Sequence, residues 1–176
     1  MSNTKFVLVP VELLKNLKEL SKGTEYNDEL QKVLDSREAI ESHDVTKLPK
    51  TAVVKKVIDG DTVELFNGLI LRYVGITAPE TGEPFEKEST ELNRKLVEGK
   101  QIKLEYDNYT SDKFGRILAC PIVNGVNVSI EHVRKGMAEL VIYQKRKPFI
   151  YQVQLLEAQE KAKKNKLGIW SKSSKF

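Results

Sequence analysis

A change of hydrophobic period near residue 50 constrains this chain more than any other feature. Before it, apolar residues recur at helical spacing. Leu13, Leu14, Leu17 and Leu20 fall on one face of residues 11–20, and Leu30, Val33 and Leu34 are the apolar positions of a second helix over 26–40. Pro10 stands just ahead of the first helix, where its missing N–H costs nothing, and Ser21-Lys22-Gly23-Thr24 separates the two. Helices this short bury little alone, so they must pack on the rest of the chain or on another copy. From Ala52 onward short β-prone runs take over. Asn67-Gly68 marks a hairpin between 63–66 and 69–74, and Asn124-Gly125 marks another between 116–123 and 126–128. Helical spacing returns over 86–98, with Leu92, Leu96 and Val97 on one side and Gly99 placed to end the helix. A strand over 101–106, a short helix over 129–136, an extended segment over 138–143 and a long helix over 151–166 complete the pattern. Trp170 is expected to pack back on the core. The fold class is mixed α+β, and the many short runs suit a five-stranded barrel as well as another α+β sheet.

Charge divides at the same boundary. Residues 1–50 hold 8 basic and 9 acidic side chains, whereas 51–176 hold 21 and 16. A modest positive excess speeds encounter with polyanions and equally serves solubility. Cys120 is the only cysteine, so neither an internal disulfide nor a thiolate metal cluster can form. His43 and His132 are too isolated to suggest a catalytic pair or a zinc site. Phe6-Val7-Leu8-Val9 stops at Pro10, too short for a signal-peptide core. No apolar run approaches the ~20 residues of a membrane-spanning helix. An intracellular, cytoplasmic setting is expected.

The charged residues that bear on chemistry are concentrated between Asp59 and Arg116: Asp59-Gly60-Asp61-Thr62, Arg72, Thr77-Ala78-Pro79-Glu80 and Asp112-Lys113-Phe114-Gly115-Arg116. Hydrolysis of a phosphodiester needs an activated water, charge stabilisation on the phosphoryl oxygens and an exit for the leaving oxygen. Arginine suits the second task, because its planar fork donates two hydrogen bonds and stays charged. Arg72 falls on an expected strand and Arg116 at a loop-to-strand junction, so the two can approach one phosphate from two sides. Surface ion pairing is the alternative for each. Asp59 reads as a turn residue and Asp61 as a turn or capping residue in the absence of a ligand. Pro79 holds the chain ahead of Glu80 and aims its carboxylate. Lys161, Lys163, Lys164 and Lys166 suit a solvated helix end, and Lys145-Arg146-Lys147 forms a basic patch before Pro148.

In order and spacing, residues 51 to 170 resemble the staphylococcal nuclease, or thermonuclease, family. The resemblance runs through Ile58-Asp59-Gly60-Asp61-Thr62-Val63, Leu71-Arg72-Tyr73-Val74-Gly75-Ile76, Ala78-Pro79-Glu80-Thr81 and Asp112-Lys113-Phe114-Gly115-Arg116. It continues in Val133-Arg134-Lys135-Gly136-Met137-Ala138, Ala162-Lys163-Lys164 and Leu167-Gly168-Ile169-Trp170. It implies a small OB-like β-barrel with packed helices that cleaves DNA and RNA, usually with calcium. Carried over by motif, Asp61 is a metal-binding carboxylate, Arg72 and Arg116 bind phosphate, and Glu80 is the general base. Thr77 stands where the family has a second metal-binding aspartate. Ala78 stands where a threonine lends its backbone carbonyl to the metal. Phe114 replaces a tyrosine, and Lys113 and Tyr143 are the candidate substrate contacts.

Thr77 removes one negative charge from the ion's surroundings, so weak calcium binding is expected. Either a nuclease that needs abundant divalent ion or a nucleic-acid binder with a decayed site follows. A third reading makes the chain an assembly protein that docks or dimerises through residues 1–50, outside the resemblance. The expected organisation is a helical extension over 1–50, the nuclease-like domain over 51–170 and a short basic tail over 171–176.

Overall fold

Turn chemistry sets most of the chain's corners. In the computed structural model, which describes residues 11–42, 45–143 and 147–171, both Asn-Gly pairs lie at hairpin turns. Residues 6–9, His43, Lys145-Arg146 and the tail beyond Ser171 lie outside the described residues. Asn124 and Gly125 both adopt positive φ, the tight two-residue turn whose twist matches the flanking strands. The Asn67-Gly68 corner is built differently. Gly68 alone is left-handed, its N–H donates to Leu65 O, and Leu65 N–H donates to Leu69 O. That is a three-residue loop with a glycine bulge, a conformation that an L side chain resists.

The elements in chain order are α1 (Val11–Leu20), α2 (Asn27–Ser42), β1 (Thr51–Val57), β2 (Thr62–Leu65), β3 (Ile70–Tyr73), β4 (Ile76–Thr77), α3 (Glu86–Val97) and β5 (Gln101–Glu105). They continue with β6 (Ile117–Val123), β7 (Val126–Asn127), α4 (Val128–Arg134), β8 (Glu139–Leu140), α5 (Gln152–Lys164) and a 3-10 turn at Gly168–Trp170. The main sheet runs β3-β2-β1-β5-β6-β7, and a parallel pairing of β3 with β6 closes five of its strands into a barrel. Closure removes the exposed edges an open sheet would leave. A bulge in β1 between Val54 and Lys56 bends that strand, so Val54 and Val57 both point inward. Val63, Leu65, Leu71, Tyr73, Ile102, Leu104, Ile117 and Ala119 fill the interior with them. Each such aliphatic side chain stabilises the fold by roughly 1.5–3 kcal/mol through burial.

Two sequence expectations need correction. On α3 the buried stripe is Ser89, Asn93 and Val97, while Leu92 and Leu96 are only half-buried. The polar pair wins because each group has a specific partner inside. The Asn93 amide accepts from the Tyr73 hydroxyl at 2.8 Å and donates to Asp59 O at 2.8 Å, and the Ser89 hydroxyl donates to Met137 O at 2.8 Å. Among the α1 residues whose burial is described, Leu14 alone is buried, whereas Leu13, Leu17 and Leu20 stay exposed. The α1–α2 hairpin therefore covers little of its own apolar face.

Candidate active site

The turn between β1 and β2 shapes the first half of the site. Ile58 and Asp59 N–H both donate to Thr62 O, and the Asp59 carboxylate accepts from Asp61 N–H at 2.9 Å. This is the turn role expected for Asp59. Gly60 sits against α3 and β4. A Cβ there would lie 2.0 Å from the Ser89 hydroxyl and 2.5 Å from the Ala78 methyl. The close approach carries Asp61 inward, and it is 4% exposed.

Asp61 Oδ2 pairs with Arg72 Nη1 at 2.6 Å and accepts from Ala78 N–H at 2.6 Å, while Oδ1 accepts from the Thr62 hydroxyl at 2.9 Å. Burial, the largest influence, pushes the Asp61 carboxyl up to about 7. The Arg72 charge opposes that rise and the Asp59 charge adds to it. The Ala78 and Thr62 hydrogen bonds also favour the ionised form.

Arg72 stands on β3 with its guanidinium spread over β4. Its Nη1 donates to Ile76 O at 3.0 Å, and Nη2 lies 3.5 Å from the Thr77 hydroxyl. The β3–β6 register pairs Arg72 with Leu118 and Leu71 with Ile117. Leu71 and Ile117 point into the barrel, so Arg72, Leu118 and, two residues earlier, Arg116 share the outer face. The spacing of a sheet puts the two arginines about 8 Å apart at Cα.

Asp112 fixes Arg116. Its Oδ2 accepts from Arg116 Nε at 2.7 Å, and its Oδ1 caps the Phe114 and Arg116 N–H groups at 2.9 and 3.1 Å. Among the described residues the two terminal guanidinium nitrogens form no hydrogen bond, and the group lies 5.4 Å from the Phe114 ring centre. Lys113 Nζ lies over the same ring at 5.1 Å.

Glu80 is exposed beside a cavity of about 510 Å3 that Thr77, Ala78, Pro79, Glu83, Phe85 and Glu139 also line. The Glu83 carboxylate accepts from Glu80 N–H at 2.8 Å and so steadies the loop. Tyr143 lines a separate small cavity with Tyr109, Lys147 and Phe149. The structure thus brings Asp61, Arg72, Thr77 and Ala78 into direct contact, sets Glu80 at their border and Arg116 at the entry to the adjoining strand, and leaves Tyr143 apart. Among the described residues, no three His, Cys, Asp or Glu side chains converge as a ready-made metal cage. Set on a closed barrel, this arrangement can be compared with known proteins. A family model described as "Staphylococcal nuclease homologue" matches residues 70–172, more than half of the chain.

The chain belongs to the staphylococcal nuclease family.

Similar proteins include the endonuclease YncB of Bacillus subtilis, 34% identical over 129 residues that make up 67% of this chain and 60% of the relative. The SPbeta prophage-derived endonuclease YokF of Bacillus subtilis is 32% identical over 129 residues, 67% of this chain and 43% of the relative. A thermonuclease of Staphylococcus intermedius is 29% identical over 129 residues, 68% of this chain and 76% of the relative. The chain thus spans less than two thirds of the two Bacillus relatives it matches.

Within this staphylococcal nuclease fold, other groups found by sequence reasoning are structural. His132 is buried with Nδ1 2.9 Å from Val128 O, and burial lowers its pKa. Burial likewise pushes the Cys120 thiol up to about 12, leaving it unreactive. Lys161, Lys163 and Lys164 close the last turn of α5, and Lys163 covers the Trp170 ring at 4.8 Å. Asp112 of the charged motif holds the Arg116 loop, whereas Asn93, which holds the Asp59 turn, and Ser89, which packs on Gly60, lie outside every motif. The four-residue spacing of Ser89, Asn93 and Val97 was the available signal for the first two. Among the described residues, no helix is long and apolar enough to cross a membrane.

Proposed function

We propose that this protein hydrolyses phosphodiester bonds in DNA or RNA with a divalent cation, calcium being the ion its oxygen donors suit. The observation that carries the reading is the pair Arg72 and Arg116 on adjoining strands of one barrel face. Each is anchored by its own carboxylate, and Glu80 borders the same cavity as Thr77, whose hydroxyl lies 3.5 Å from Arg72 Nη2. Anchoring by Asp61 and Asp112 fixes the two forks before substrate arrives, which is where electrostatic catalysis gains most. The two terminal nitrogens of Arg116 remain to grip phosphoryl oxygens. Glu80 accepts the proton of the attacking water as the new P–O bond forms, and the leaving oxygen departs with a proton from solvent.

The donor set fits a hard cation: the Asp61 carboxylate, the Thr77 hydroxyl and the Ala78 carbonyl would hold it. When bound, such an ion neutralises charge on the phosphoryl oxygens. One carboxylate and two neutral oxygens make a weak site, so high calcium is required. The full chain is to be incubated with single-stranded DNA and RNA over a calcium series from micromolar to tens of millimolar. Cleavage rising only in the millimolar range is expected, with Glu80→Gln reducing it about 10²-fold or more. Nucleic-acid binding without cleavage at any calcium concentration would favour the decayed binder instead.

We also propose that residues 1–50 form a separate self-association element. What supports it is the exposed face formed by Leu13, Leu17, Leu20 and Tyr26, bordering a groove of about 530 Å3 with Leu30 and Val33. With 8 basic and 9 acidic side chains, this segment offers no attraction to phosphate. An exposed apolar patch on a segment of near-zero net charge suits a second copy. Light scattering is expected to give a dimer for the full chain and a monomer for Leu17→Glu/Leu20→Glu. A monomeric parent at micromolar concentration ends this proposal.

A further inference from the structure

We infer that Glu139 supplies, from the neighbouring strand, the negative charge that Thr77 lacks, and so serves as the second acidic group of the cation site. The inference rests on the nuclease reading above and concerns a residue that the family's motif does not include. Its basis is the short two-stranded sheet beside the barrel. In the β4–β8 ladder Thr77 is the direct partner of Glu139 and Ile76 of Leu140. Directly opposed residues of an antiparallel pair project from the same side of the sheet, with Cβ atoms about 5 Å apart. A carboxylate at 139 therefore stands over the place where an aspartate at 77 would stand. The two residues line the same cavity, together with Glu80.

The β8 backbone around Glu139 is fixed. Leu140 N–H donates to the Gln159 side chain at 2.9 Å, and Val141 N–H donates to Gly75 O at 2.9 Å. The Glu139 side chain is exposed and, among the described residues, has no hydrogen bond or ion pair. Most acids elsewhere on the surface are matched: Glu131 by Arg134 and Lys135, Glu91 by Arg94, Glu64 by Lys55. Glu80, Glu83 and Glu139 border one cavity whose nearest cation is Arg72, set behind Thr77 with Nη2 3.5 Å from its hydroxyl and tied to Asp61. Like charges gathered this way repel unless a cation joins them. Among the described residues no three carboxylates converge as a closed cage, so Glu139 would act on a bound cation through its charge.

The test is calcium titration of the full chain by calorimetry at physiological salt, comparing the parent, Glu139→Gln, Thr77→Asp and the double variant. Thermal melts without calcium check that each is folded. Glu139→Gln is expected to weaken calcium binding about tenfold, and Thr77→Asp to restore it, so that the double variant binds at least as tightly as the parent. Affinity within about twofold of the parent in Glu139→Gln overturns the inference. If the parent cleaves nucleic acid with calcium while that variant's affinity is unchanged, only the role of Glu139 fails. If the parent neither binds calcium nor cleaves, the nuclease reading fails with it.

Discussion

Exchanging Arg116 for lysine is expected to slow phosphodiester cleavage about a thousandfold while leaving the protein folded. The fold should survive because Asp112 holds its loop through main-chain contacts as well. Its carboxylate caps the Phe114 and Arg116 N–H groups, and its own N–H donates to Arg116 O. Rate should be lost because arginine does two things at once. Nε is tied to Asp112 at 2.7 Å while both terminal nitrogens stay available. A lysine ammonium can reach the carboxylate or the phosphate but offers no planar fork for both. A thousandfold is about 4 kcal/mol of transition-state stabilisation. Single-turnover cleavage of labelled single-stranded DNA at saturating calcium measures it, with the binding constant determined in parallel. A loss below tenfold would show that Arg116 only attracts substrate.

The second large effect concerns stability. Asp61→Asn is expected to make the metal-free protein more stable than the parent at neutral and alkaline pH, though it should abolish cleavage. Burial pushes the folded Asp61 carboxyl from the usual 3.8 up to about 7. Between those values the folded chain holds a proton that the unfolded chain has released. The unfolding free energy therefore falls as pH rises through that window and levels off above it. Three pH units correspond to on the order of 4 kcal/mol for one group. Loss of the 2.6 Å pair with Arg72 offsets part of the gain, so the readout is the slope: the parent loses stability through the window and the Asn variant does not. Near pH 4 the two proteins should be about equal. Urea denaturation across this range decides it. Equal slopes of stability against pH in the two proteins would mean that Asp61 does not titrate in the window.

Both effects depend on features of unequal visibility in the sequence. Local ones were legible: the two Asn-Gly corners, α3, α4 and α5 close to their observed bounds, and Arg72 on a strand with Arg116 at a strand entry. Each is set by residues a few positions apart. The burial of Asp61 was not legible, because Asp-Gly-Asp reads as a solvated turn and its depth comes from Gly60 lying against Ser89 and Ala78. The polar stripe of α3 was hidden for a similar reason. Ser89 and Asn93 are buried by partners at Met137, Tyr73 and Asp59, distant in the chain. Thr77 looked like a hole in the site, whereas the ladder that sets Glu139 opposite it pairs two residues far apart in sequence.

The β3–β6 seam carries a consequence for the timing of synthesis. It is a parallel pairing between strands separated by β4, α3, β5 and the loop after β5, and such contacts form only after a long loop has closed. A chain emerging from the ribosome displays Asp61, Arg72 and Glu80 well before Arg116 has been made. Without β6 the barrel is open and the two arginines have no common surface. The face that carries both arginines therefore exists only once the last barrel strand has arrived.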